Sequence, residues 1–146
     1  PHVQGMKTCP DRSPCPCGRM DPQGRALTYG QCCGPWLEAG QSAPDAHTLM
    51  RSRYSAFVLE RDVYLLQTWH ASARPASIEF DADVRWLGLE VRHFSPPSPM
   101  EPNHAQVEFV ARQRPPGGRA VRLHENSDFV LEDGRWFYLS GAMQDA

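Results

Sequence analysis

Val121-Arg122-Leu123-His124-Glu125-Asn126-Ser127-Asp128-Phe129-Val130-Leu131 alternates in character with a period of two, the repeat of an extended strand. Glu132-Asp133-Gly134 follows as a hairpin turn, and Arg135 to Ser140 resumes strand-like composition. Reading backwards, Pro115-Pro116-Gly117-Gly118 separates this strand from Ala105 to Arg114, so three consecutive strands form an antiparallel meander. A further strand, Trp86 to Phe94, precedes the proline-rich loop Ser95 to Asn103. Upstream of Pro75 the period changes. Leu49, Met50, Tyr54, Phe57 and Val58 recur at helical spacing behind Asp45, a suitable N-cap. After a break near Arg61-Asp62, a second helix runs through Tyr64, Leu65, Leu66 and Trp69. Helices first and strands afterwards predict an α+β fold, with the helices covering one face of a curved sheet, rather than a doubly wound parallel sheet.

The 146 residues suit one packed domain with a small appendage. Apolar residues at 40% and charged residues at 22% are typical of soluble globular chains, and no apolar run reaches the length of a membrane span. Without an apolar leader, the expected compartment is the cytoplasm. Met6 reads as the natural start, which leaves residues 1–5 as a vector-derived remnant. The net charge of −2 argues against nucleic-acid binding driven by bulk electrostatics. Fourteen of the fifteen basic residues are Arg, a skew that base composition explains as readily as chemistry.

All five cysteines lie within the first 33 residues, in a segment rich in Gly and Pro. In Cys15-Pro16-Cys17-Gly18 and Cys32-Cys33-Gly34, fourteen residues separate Cys17 from Cys32, and Cys9 lies upstream. Two physical readings compete: four thiolates around a Zn²⁺ that folds a segment too short for its own core, or disulfides formed in an oxidising compartment. An odd thiol count and the adjacent Cys32 and Cys33 fit disulfides badly, because neighbouring cysteines rarely bridge. Cys15, Cys17, Cys32 and Cys33 are therefore the candidate metal ligands, with Zn the expected ion. Gly18 and Gly34 are expected to turn the backbone through positive φ after each pair.

Cys-Pro-Cys-Gly followed by Tyr29-Gly30-Gln31-Cys32-Cys33-Gly34 resembles the SEC-C zinc motif. The spacer here is six residues longer, and removing Met20 to Arg25 restores the motif's spacing, as expected for an insertion at a hairpin tip. Leu49-Met50-Arg51-Ser52-Arg53-Tyr54-Ser55-Ala56-Phe57, Tyr64-Leu65, Thr68-Trp69-His70, Trp86-Leu87-Gly88-Leu89, His124-Glu125 and Asp133-Gly134-Arg135-Trp136-Phe137-Tyr138 resemble the YchJ family. The resemblance runs over nearly the whole chain from Cys15. It implies a SEC-C-like zinc segment, residues 1–40, followed by a nuclear transport factor 2-like (cystatin-like) cone, residues 41–146. It implies a fold and a metal, not a reaction.

Candidate chemistry beyond the cysteines begins with the parity of the strand at 121–131. Val121, Leu123, Glu125, Ser127, Phe129 and Leu131 share one face, so Glu125 and Ser127 interrupt an apolar row. Arg53 is the candidate partner of Glu125, since Met50, Arg53, Tyr54 and Phe57 share a helix face. These residues outline a candidate cavity floored by Arg53, Glu125 and Ser127 and walled by Trp69, His70 and Trp86. The competing reading is a structural Arg–Glu ion pair with aromatics filling the core, and that reading is favoured. The expected role is a protein-interaction or adaptor module contacting a protein or ribosome through the zinc motif. Tyr29 and Trp36 form the contact patch. A small-molecule binder or isomerase/dehydratase-like enzyme using the cavity is the alternative, and RNA binding aided by Arg19, Arg25 and Tyr29 is the third.

Overall fold

The computed structural model describes residues 7–144; the start suggested at Met6 and the remnant before it lie outside them. Four strands, β1 (Arg85–Ser95), β2 (His104–Arg114), β3 (Val121–Glu132) and β4 (Arg135–Met143), pair in sequence order, each antiparallel to the next. The meander thus takes in all four strands. Register shifts between Trp86 and Gly88, and between Val91 and His93, place two bulges in β1, and a third lies opposite Asp128 and Phe129. Bulges bend and twist a strand, which curves the sheet into a half-cone. In the third bulge the extra residue is in β4, because Asp128 pairs with Ser140 and Phe129 with Tyr138. The alternation of β3 is therefore kept.

Among the described residues a 3₁₀ turn (Tyr29–Gln31) and three α-helices precede the sheet: α1 (Gly34–Leu37), α2 (Ala46–Val58) and α3 (Asp62–Gln67). Asp45 caps α2 as expected, accepting the Thr48 amide at 2.7 Å. Glu60, at a φ of 56°, turns the chain from α2 into α3 at the expected break. The end of α3 is tied to β4, where the His70 amide donates to the Tyr138 carbonyl and the Tyr138 amide to the Thr68 carbonyl, each at 2.8 Å. Leu49 and Tyr54 of α2 are buried with Val107, Phe109 and Phe129 of the sheet. The other sheet face is polar, with cross-strand contacts of Asp128 to His104 (2.9 Å) and Gln106 (2.8 Å), and of His124 to Glu108 (2.7 Å).

His47, in the first turn of α2, accepts a hydrogen bond from Arg51 Nε at 2.9 Å and stands against Phe94. Burial, then the charges of Arg51 and Arg19, lower its pKa from 6.5 to about 4. Between those values the unfolded chain binds the additional proton, so His47's contribution is fully present above pH 6.5 and is lost as pH falls towards 4. Denaturant midpoints measured from pH 7 to pH 5 should fall, and fall less in His47→Gln. An equal slope in the two proteins would contradict the assignment.

Candidate metal centre and cone cavity

The cysteine segment is built as a hairpin. Pro14 bridges Thr28, the Cys15 amide donates to the Leu27 carbonyl at 3.0 Å, and Met20 bridges Ala26. The inserted residues close this hairpin: the Gly24 amide donates to the Asp21 carbonyl, and the Asp21 side chain accepts the amides of Gln23 and Arg25. Gly18 has the expected positive φ, 74°. Gly34 does not, which corrects the expectation. A Cβ there would lie 2.8 Å from the Tyr29 carbonyl oxygen, so Gly34 is required for close approach rather than for a turn.

This hairpin brings Cys15, Cys17, Cys32 and Cys33 together, all buried, with their sulfur atoms within 4.8 Å of one another. Cys17 Sγ lies 3.5 Å from Cys32 Sγ, and Cys32 Sγ lies 3.9 Å from Cys33 Sγ. A tetrahedral ion with sulfur ligands at about 2.3 Å requires sulfurs about 3.8 Å apart. The donor set therefore fits a thiophilic ion. Electrostatics agree with the geometry. Hydrogen bonds from Cys17, Cys32 and Cys33 hold Cys15 well below the thiol range, whereas hydrogen bonding with Cys15 and Cys17 drives Cys32 and Cys33 upward. Cys17 is lowered as well, so thiolates are favoured at Cys15 and Cys17 and resisted at Cys32 and Cys33 until a cation offsets the added charge. Cys9 lies outside the group, and its thiol is pushed up by burial.

Polar contacts fasten the hairpin to α2. Arg51 Nη1 donates to the Cys17 carbonyl at 3.1 Å, Arg19 Nη1 donates to Thr48 Oγ1 at 3.1 Å, and Cys15 Sγ lies 3.6 Å from Ser55 Oγ. A second tie runs through Tyr29, whose hydroxyl donates to Glu38 at 2.8 Å, while Glu38 pairs with Arg61 at 2.9 Å. Arg61 also donates to the Lys7 carbonyl. Its hydrogen bond holds the Glu38 carboxyl below the ordinary range.

On the opposite side of α2, a cavity of about 300 Å³ lies between helix and sheet. Met50, Arg53, Tyr54 and Phe57 line it from α2, and Leu123, Glu125, Ser127 and Phe129 line it from β3. Trp69, Trp86 and Tyr138 complete much of the wall, and the exposed Met143 lies on the rim. Arg53 is 5% exposed, and its Nη1 donates to the Leu65 carbonyl (2.8 Å) and Thr68 Oγ1 (2.6 Å). Its guanidinium carbon stands 4.6 Å from the Tyr138 ring centroid and 5.1 Å from that of Trp69. Burial lowers the Arg53 pKa to about 10, against the supporting charges of Tyr138, Tyr64 and Glu125. Glu125 accepts from Ser127 Oγ at 2.7 Å and rests on bare β4 backbone, where a Cβ on Gly141 would lie 2.5 Å from its carboxyl carbon.

A family model described as "YchJ, middle NTF2-like domain" matches residues 45–141. The chain belongs to the YchJ family. A UPF0225 protein of a Polaromonas species is 60% identical to this YchJ chain over 129 residues, 87% of this chain and 91% of that protein. A UPF0225 protein of Bordetella pertussis is 52% identical over 131 residues, covering 87% and 90% of the two chains. The solved SEC-C motif containing protein from Rhodopseudomonas palustris has a TM-score of 0.70 and 34% identity, covering 84% of this chain and 96% of that one. Another, from Psychrobacter arcticus, has a TM-score of 0.73 and 29% identity, covering 93% and 85%. The α+β fold with an NTF2-like cone holds, and a four-cysteine cluster able to take a metal precedes it.

The YchJ cone gathers Arg53, Trp69, Trp86, Glu125 and Ser127 around one cavity but leaves out His70. His70 instead faces outward to Ser72 and Glu132, each at 2.7 Å. None of the ion pairs among the described residues includes Arg53, so the expected Arg53–Glu125 bridge is not formed. Tyr29 is fully buried, which removes it from any contact patch and from stacking on RNA, and leaves Trp36 half-buried against the core. Arg19 and Arg25 are held by Thr48 and Asp21. Tyr138 also lines the cavity and is not among the candidates named from sequence, although the regular hairpin register from Glu132–Arg135 to Phe129–Tyr138 sets it directly opposite Phe129. No helix of the described residues is long and apolar enough to cross a membrane.

Proposed function

We propose that this chain is a zinc protein that binds a small molecule in the cone, as a binder rather than a catalyst. Four thiolates from Cys15, Cys17, Cys32 and Cys33 hold the Zn²⁺, which offsets half of their negative charge and fixes the hairpin on α2. The metal has a structural role, since a closed four-cysteine set leaves no open position for a reacting group.

The observation that carries the binding role is the cavity of about 300 Å³ between α2 and β3, reaching Arg53, Glu125 and Ser127. Its mostly apolar walls with a few convergent polar groups have the make-up of a ligand site, and its size is at the small end of such sites. The buried Tyr29 weakens the competing adaptor reading by removing half of the proposed patch. On this reading Glu125 and Arg53 orient the ligand. A thermal-shift and NMR screen of small aromatic compounds should yield binders that perturb β3 amides and that Leu123→Trp, which fills the cavity from its wall, abolishes. Binders unaffected by Leu123→Trp, or a screen with no binders, would contradict it.

A further inference from the structure

The cavity's polar groups are unevenly satisfied. An arginine side chain carries five N–H donors, and Arg53 commits Nη1 to Leu65 and Thr68. The edge formed by Nε and Nη2 makes no hydrogen bond among the described residues, although the side chain is almost wholly buried. Beside it, Trp69 Nε1 is buried with no hydrogen-bond partner. Glu125 is not the missing acceptor: it is engaged with Ser127 and held over Gly141, outside ion-pair distance of Arg53. A buried cation with a free planar fork next to an unpaired indole N–H lacks an anionic oxygen pair, and a carboxylate matches that fork in two parallel hydrogen bonds. The rest of the lining, including Tyr54, Phe109 and Phe129, suits an apolar, ring-sized body.

We infer that the cavity's ligand is a small organic acid, with its carboxylate against Arg53 and Trp69 and an apolar ring among Tyr54, Phe109 and Phe129. A hydrogen-bond donor at its far end turns towards Glu125. This rests on the cone being a binding site. The Glu125 carboxylate faces the same space, so it repels an anion at its own end and fixes the direction of the ligand.

The test uses 3-phenylpropanoate and its uncharged counterpart 3-phenylpropanamide, titrated into the full-length, metal-loaded chain and read by tryptophan fluorescence and by the ¹⁵Nε–H signal of Arg53. The carboxylate should bind at least tenfold tighter than the amide and shift the Arg53 signal. Arg53→Gln should bring the two within about twofold. Adding a para-hydroxyl to the acid should tighten binding severalfold in the parent and not in Glu125→Leu. If Arg53→Gln does not fold, the comparison of the two probes on the parent chain decides. Equal affinities, with both probes displaced by Leu123→Trp, would overturn the organic-acid assignment and leave the cavity reading standing. Binding of neither probe, or binding that survives Leu123→Trp, would overturn both.

Discussion

Cys17→Ser should purify without stoichiometric metal and unfold at a much lower denaturant concentration than the parent. Cys17 is fully buried, and its sulfur lies 3.5 Å from that of Cys32, so no solvent ligand can take its place without opening the hairpin. Serine offers a hydroxyl that stays protonated where a thiolate is required. In small zinc folds, metal binding contributes about 10–16 kcal/mol at neutral pH, and that binding energy is folding energy. Losing one of four ligands should therefore cost the chain more than about 3 kcal/mol. The loss should spread beyond the hairpin, because Cys17 also presents its carbonyl to Arg51 on α2. Cys9→Ser is the matched control. Cys9 is outside the cluster, so metal content and unfolding midpoint should stay at parental values. A Cys17→Ser chain that retained both would contradict the assignment of that thiol.

Phe129→Ala should be the most damaging substitution in the cone. Phe129 is 1% exposed, stacks edge-on to Tyr138 at 5.7 Å and forms part of the cavity wall. Truncating a buried Phe costs about 3–5 kcal/mol through lost transfer energy and the void left behind. Here the void joins an existing cavity, so the neighbours have little means of closing it. Phe129→Leu keeps most of the volume and should cost less than about 1.5 kcal/mol. Urea unfolding of the two variants checks the order, and a loss below about 1 kcal/mol for Phe129→Ala would place its ring outside the core.

These two residues also show how far sequence alone reaches. The alternation from Val121 to Leu131 depends only on pleat geometry, and the bulge that could have upset it falls in β4. Hence Glu125, Ser127 and Phe129 were placed on the correct face. Tyr138 is absent from the cavity residues named from sequence, although the hairpin register pairs it with Phe129, and His70 falls outside the expected wall because its position depends on how α3 meets β4. That Cys15, Cys17, Cys32 and Cys33 gather into one cluster was legible from their spacing as two close pairs on either side of a hairpin. The burial of Tyr29 was not legible. Its contact with Glu38 depends on Arg61, a residue of the distant helical segment that no local pattern connects to it. The Arg53–Glu125 bridge is expected from the shared helix face and the cost of an unpaired buried carboxylate, but the carboxylate instead has a seat over Gly141 on β4 and a donor in Ser127.

Elemental analysis of freshly prepared, reduced full-length protein, with parallel thiol titration, tests the metal assignment most directly. One zinc per chain, with four thiols that become titratable only after chelation, is the predicted result. A chain without zinc whose Cys15, Cys17, Cys32 and Cys33 react freely, or are joined to one another as disulfides, would contradict it.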